Sequence, residues 1–301
     1  MKGALPLSVK NLLRLLLALA LGTPAIAAEP LRVSSFSTIL SEIATQVGGE
    51  VVKVYPHLPL GVDPHAFEPK PEDLRIVTAA QIVLLSAKHL EGSYAPKLRQ
   101  ATGSHGVFVE VGDGFASLHL ADDDRPGATI EDPHWWHSIA NMRRAVRIVR
   151  DAFIEARPGD RATFHTNAAA YLAQLDTLDA WTRRQLAALP RSARKLVTSH
   201  DAFQYFAREY GFTIYAIQGV STADQPSSGK VARIIAAIRA QGVKAVFPES
   251  IENPKVLREI TRESGAKVGP ELFADGLGEG DGRTYAGMFR HNVTAIVGAL
   301  K

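Results

Sequence analysis

The chain of 301 residues has no cysteine. Disulfides, thiolate metal sites and a cysteine nucleophile are thereby excluded, and no thiol is available for a lipid anchor. An excess of one charge is also missing. The formal net charge is +3, and Lys2, Lys10 and Arg14 account for it. Without those three, 31 Lys plus Arg face 31 Asp plus Glu. A balanced chain of this kind points to neither a nucleic-acid partner nor an anionic membrane. Long hydrophobic runs are absent too: beyond Leu21 no segment approaches the ~18 apolar residues of a membrane span. No internal repeat with a period of 20–50 residues is present.

What is present begins with the first 28 residues. The three basic residues flank the apolar run Leu15–Leu21, Gly22-Thr23-Pro24 breaks it, and Ala25-Ile26-Ala27-Ala28 follows. That is the pattern of a secretory signal peptide. The expectation is an exported, unanchored protein of the periplasm.

From Leu31 the chain alternates between strand and helix. Leu31–Phe36, Val51–Tyr55, Gln81–Leu85 and Val107–Val111 read as strands, separated by helical spacing at Ile39, Leu40, Ile43 and Val47 and by Pro71-Glu-Asp-Leu74. Such alternation implies parallel βαβ units. Gly112–Glu131 has no periodicity and reads as a long loop. Helical spacing returns at Ser138. From about Asp160 to Leu189 a single run places Phe164, Ala168, Tyr171, Leu175 and Leu178 on one face. At 1.5 Å per residue it spans roughly 42 Å, longer than a small domain is wide. The alternation resumes after Pro190. The predicted organisation is a signal peptide (1–28), an α/β domain (29–158), a linker helix (159–190) and a second α/β domain (191–301). The fold class is therefore α/β, with two parallel-sheet domains joined by one long helix and the site in the cleft between them.

One tripeptide occurs twice, as Asp63-Pro64-His65 and Asp132-Pro133-His134. Proline fixes its own φ and holds the preceding Asp extended, and that Asp can accept from the backbone two residues on. Each copy is a stiff mount for one imidazole. In α/β sheets ligands bind beyond the carboxyl ends of strands. His65 and the loop ending in His134 follow strands of the first domain, whereas His200 and Asp275 follow strands of the second. Three imidazoles and a carboxylate form a tetrahedral zinc set with bonds of ~2.0–2.2 Å.

The segments Gly61-Val-Asp-Pro-His65-Ala-Phe-Glu-Pro69, Asp132-Pro133-His134-Trp-Trp, Ser199-His200-Asp-Ala-Phe-Gln-Tyr205-Phe and Phe273-Ala-Asp275-Gly-Leu resemble the zinc- and manganese-binding proteins of bacterial ABC importers, the ZnuA/TroA-like family. The resemblance runs from about Leu31 to the C-terminus. It implies metal ligands at His65, His134, His200 and Asp275, two α/β domains on one long helix, and a solute-binding protein rather than an enzyme. The implied partner is an ABC permease in the inner membrane, with a periplasmic metallochaperone as a further one, and the chain is expected to act as a monomer. Three departures stand out. His137-Ser138 replaces the family's usual continuation, the histidine-rich loop is reduced to His119 with Asp122, Asp123 and Asp124, and the cysteine pair of some members is missing.

Imidazoles suit Zn²⁺, and manganese-selective relatives place Glu where His200 stands, so the expected cargo is Zn²⁺, with Mn²⁺ as the alternative. Glu249 ends another strand, where it is placed to orient His200. His137 is a candidate auxiliary ligand, and His119 with Asp122–Asp124 a candidate capture group. His57, His89, His105, His165 and His291 have no partner motif. The remaining alternatives are an exported zinc hydrolase and a binder of another cargo. Against the first, four protein ligands would close the site, no His-Glu-x-x-His occurs, and Ser199-His200-Asp201 lacks a nucleophile elbow.

Overall fold

The computed structural model describes residues 29–103, 106–122, 127–222, 226–249 and 255–301; the expected signal peptide, Asp123 and Asp124 lie outside them. The first sheet contains β1 (Leu31–Ser35), β2 (Val52–Pro56), β3 (Ile82–Leu85) and β4 (Val107–Glu110), all parallel in the order β2-β1-β3-β4. Helices α1 (Thr38–Gly48), α2 (Pro71–Thr78) and α3 (Ala95–Thr102) connect them. Local chemistry sets their starts. Ser37 caps α1 by accepting from the Leu40 N–H, and Pro71 opens α2 where its missing N–H costs nothing.

The segment expected to be a structureless loop is folded in part. A 3₁₀ turn covers Val111–Gly114, and β5 (His119–Ala121) pairs antiparallel with β6 (Thr129–Glu131), His119 opposite Glu131. Strands of three residues are too short to show a period, which is why the sequence reads as aperiodic there.

Helix α4 (Ile139–Ala156) leads to α5 (Arg161–Leu186), the 26-residue connector. It buries Phe164, Ala168, Tyr171, Leu175, Leu178, Thr182 and Leu186, a stripe with steps of three and four residues. Arg194 closes its far end, donating to the carbonyls of Leu186 and Leu189. The second sheet contains β7 (Lys195–Thr198), β8 (Thr213–Ala216), β9 (Ala245–Phe247) and β10 (Lys267–Val268), parallel in the order β10-β9-β7-β8. Helices α6 (Gln204–Tyr210), α7 (Ser228–Gln241), α8 (Lys255–Ser264) and α9 (Tyr285–Leu300) complete the chain.

Alternation along the strands divides the core into three layers. Ile82 and Leu84 of β3 face one cluster, Val83 and Leu85 the opposite one. On the second sheet Ala245 and Phe247 face inward, while Val246 joins Val197, Ile234 and Ile238 outside. The inner faces of both sheets, with α1, α4, α5 and α9, share one continuous apolar core. Among the described residues no helix is long and apolar enough to cross a membrane.

Candidate metal centre

Both sheets reverse strand order beside their first strand, which opens a crevice at the carboxyl ends. There the Nε2 atoms of His65, His134 and His200 and an oxygen of Asp275 converge, all within 4.8 Å of one another. Two come from each lobe. His65 Nε2 lies 3.1 Å from His134 Nε2, and His200 Nε2 lies 3.2 Å from it. Asp275 Oδ1 stands 3.3, 3.3 and 3.2 Å from the Nε2 atoms of His65, His134 and His200. These are five of the six edges of a tetrahedron. The sixth, between His65 and His200, lies within 4.8 Å, and a tetrahedron with edges near 3.2 Å has its centre about 2.0 Å from each corner, the length of a Zn–N bond. Neither oxygen of Asp275 receives a hydrogen bond, although the side chain is buried. Buried polar groups are normally satisfied, so the set fits a divalent cation.

Each mount is built locally. Asp63 Oδ1 accepts from the His65 N–H (2.8 Å), and Asp132 Oδ1 from the His134 N–H (2.9 Å). The two Asp-Pro-His copies thus form the same Asx turn. Asp132 does more than its counterpart: the same oxygen accepts from His134 Nδ1 at 2.8 Å, and the side chain is fully buried. His200 follows β7 directly, and its Nδ1 donates to Glu249, which follows β9. With Nδ1 committed on both rings, Nε2 points its lone pair into the cluster. The Ser199-His200-Asp201 neighbours do not cooperate, since Asp201 accepts instead from Gln204.

Electrostatics reflect this crowding. Burial disfavours a charged His134, but Asp132 and Asp275 outweigh it and raise its pKa. At His200 burial is likewise outweighed by Asp275 and Glu249, and the ring titrates well above its ordinary value. Burial opposes charge on Asp275, yet the neighbouring imidazoles hold it well below the usual carboxylate range. The cluster favours a positive charge at its centre.

The loop carrying Asp275 is gripped by the first lobe. Trp136 Nε1 (2.9 Å) and His137 Nε2 (2.7 Å) both donate to the Ala274 carbonyl. Leu277 N–H donates to Thr38 Oγ1 (2.9 Å), and Gly61 N–H to the Leu277 carbonyl (3.0 Å). Gly276 adopts φ 151°, and a Cβ there would meet Thr38 Oγ1 at 2.5 Å, so only glycine allows the approach.

His137 therefore lies apart from the four convergent residues, with its Nε2 on the Ala274 carbonyl. Its buried Nε2 is already used, and burial pushes its pKa down to about 3. His119 is exposed on β5, opposite Glu131. Sequence reasoning missed the ring contact of Asp132, the Trp136 donor and Thr38. The Asp-Pro-His motif signals the first, whereas the others join residues more than a hundred positions apart. His65 alone among the four is partly exposed, on a hollow of about 180 Å³ lined also by His89, Ser93, Glu131 and Ser221.

The model of the family ZnuA, zinc-uptake complex component A, periplasmic, matches residues 33–299. The manganese-binding lipoprotein MntA of Bacillus subtilis is 34% identical over 280 residues, covering 91% of this chain and 90% of the relative. The zinc-binding protein TroA of Treponema pallidum is 34% identical over 248 residues, covering 80% and 79%. A solved structure of that periplasmic protein superposes with a TM-score of 0.82 at 30% identity, covering 91% of this chain and 99% of the other. With the match spanning nearly every described residue, the chain belongs to the ZnuA family of metal-binding components of ABC importers, which work outside the cytoplasm as solute-binding proteins and not as enzymes.

Proposed function

We propose that this protein captures Zn²⁺ in the periplasm, holds it with His65, His134, His200 and Asp275, and releases it to an ABC permease in the inner membrane. The observation that carries this reading is the convergence of three imidazole nitrogens and one unsatisfied carboxylate oxygen, five of whose six separations are 3.1–3.3 Å. Three neutral imidazoles favour Zn²⁺ over harder ions. The chain acts as a monomer spanning residues 29–301 after loss of the signal peptide, as two metal-binding domains (29–158 and 191–301) on the linker helix 159–190. His119 and Asp122–Asp124 serve as an outer capture group, loaded directly or by a periplasmic metallochaperone.

Mn²⁺ is the second reading. It is favoured by the unpartnered Asp275 Oδ2, which offers a further donor to an ion of higher coordination number. Competition titration of the purified protein with Zn²⁺ and Mn²⁺ separates the two. One Zn²⁺ per chain, lost in His65→Ala and held against excess Mn²⁺, supports the first reading. Metal binding undiminished in His65→Ala would remove the ligand assignment.

A further inference from the structure

Two side chains of the first lobe donate to one carbonyl of the second. Trp136 Nε1–H and His137 Nε2–H both reach the oxygen of Ala274, the peptide that leads directly into Asp275. A carbonyl oxygen has two lone pairs, so this pair saturates it and fixes the peptide plane. The His137 ring is buried against Phe203 of the second lobe, with centroids 4.3 Å apart. Ser138, the next residue, donates across the same boundary to Glu209.

On its other side Asp275 is followed by Gly276, whose backbone lies where side chains are rarely tolerated. Glycine resists rotation least of all residues, so little in the chain itself aims the Asp275 carboxylate. The aim comes from outside: the Ala274 carbonyl is held at one end, and Leu277 is held by Thr38 and Gly61 at the other. We propose that His137 is a positioning residue for Asp275, and that with Trp136 it forms a latch between the lobes that must open before the cargo leaves. This rests on the reading of Asp275 as a ligand. His137 touches no ligand atom; it acts through the Ala274 peptide.

The test compares wild type, His137→Leu, His137→Phe, His137→Gln and His65→Ala as purified full-length mature protein. It reads zinc stoichiometry, the rate of zinc transfer to excess chelator, and the metal-free melting temperature. Leu and Phe both remove the donor, and Phe keeps a ring against Phe203. Gln retains a terminal N–H near the Nε2 position. Loss of one buried hydrogen bond should speed release about 3- to 10-fold in His137→Leu and His137→Phe, with His137→Gln within about twofold of wild type. Stoichiometry stays at one zinc in all three. Release at the wild-type rate in both Leu and Phe overturns the latch, as does equal acceleration in Gln, which would assign the effect to packing. Wild-type stoichiometry in His65→Ala would instead overturn the ligand set, a separate outcome read in the same experiment.

Discussion

Glu249 accepts the Nδ1 proton of His200 and also lies 3.3 Å from the His200 backbone N–H, so one carboxylate fixes both ring and main chain. The Nε2 of that ring then faces Asp275 Oδ1 at 3.2 Å, an arrangement that a proton or a cation must bridge. Glu249→Gln keeps the shape and weakens the acceptor. Zinc affinity should fall about 10- to 100-fold, as is usual when the group behind a ligating histidine is lost, with stoichiometry unchanged. Competition titration measures it; wild-type affinity would show that Glu249 is only a structural neighbour.

Protons compete with the cargo. His134 and His200 both titrate above the ordinary imidazole value in the metal-free protein. Folded rings therefore keep protons that the unfolded chain releases at about 6.5. Their contribution to stability is complete below that value and is lost as pH rises through the raised folded values. The melting temperature of the metal-free protein should accordingly fall as pH climbs above about 6.5. Asp275 works in the opposite sense, its contribution disappearing only in strong acid, as pH falls through its lowered value. Because Zn²⁺ binds deprotonated rings, its apparent affinity should still be rising above about pH 7. Calorimetry in buffers of different ionisation enthalpy gives the number of protons expelled. An affinity independent of pH between about 5 and 8 would contradict a three-histidine site.

Much of this centre is written locally. Asp-Pro-His is a rigid mount because proline removes freedom on both sides of it, and both copies close the same turn through Asp63 and Asp132. The connector was legible because its apolar spacing extends over 26 residues, and the parallel sheets because strand and helix segments alternate along the chain. The latch was not. Ala274 meets His137 across 137 positions and Trp136 across 138, and nothing near either end of those intervals marks the pairing. His137 shows the limit most directly. Its distance of three residues from His134 suggested a shared ion, while tertiary packing placed its Nε2 on a carbonyl.

The connector limits motion. Tyr171 in α5 donates to Glu42 Oε1 in α1 (2.7 Å), and Glu42 Oε2 accepts from the Tyr285 N–H at the start of α9 (2.6 Å). One half-buried carboxylate thus ties the first lobe, the connector and the last helix together. Metal-free and zinc-loaded forms should give nearly superimposable small-angle scattering profiles, with differences confined to the loops around the site. Glu42→Ala leaves Tyr171 and the Tyr285 N–H without their acceptor and should lower the melting temperature, by about 1–3 kcal/mol of stability. A metal-free form with a markedly larger radius of gyration would refute the rigid connector.

Selectivity offers the most direct test of the cargo. His200→Glu replaces an imidazole by a carboxylate, making the donor set two imidazoles and two carboxylates. The structure adds a complication, since the new side chain would face Glu249, and two buried carboxylates in contact share a proton until a cation arrives. The variant should therefore be made both alone and with Glu249→Gln, which removes that conflict. In the double variant Zn²⁺ should weaken and Mn²⁺ should gain relative to it by about 10-fold or more, with Zn²⁺ still preferred on the Irving–Williams order. The control needs a histidine that touches nothing near the site. His291 does not qualify: its Nε2 donates to the Glu271 carbonyl and its ring lies 4.9 Å from that of Phe273, two residues before Asp275. His165, exposed on α5, does. Competition titrations of His200→Glu, the double variant and His165→Glu decide the matter. A Zn/Mn ratio unchanged in the first two would take His200 out of the site, and the preference for zinc would lose its chemical basis.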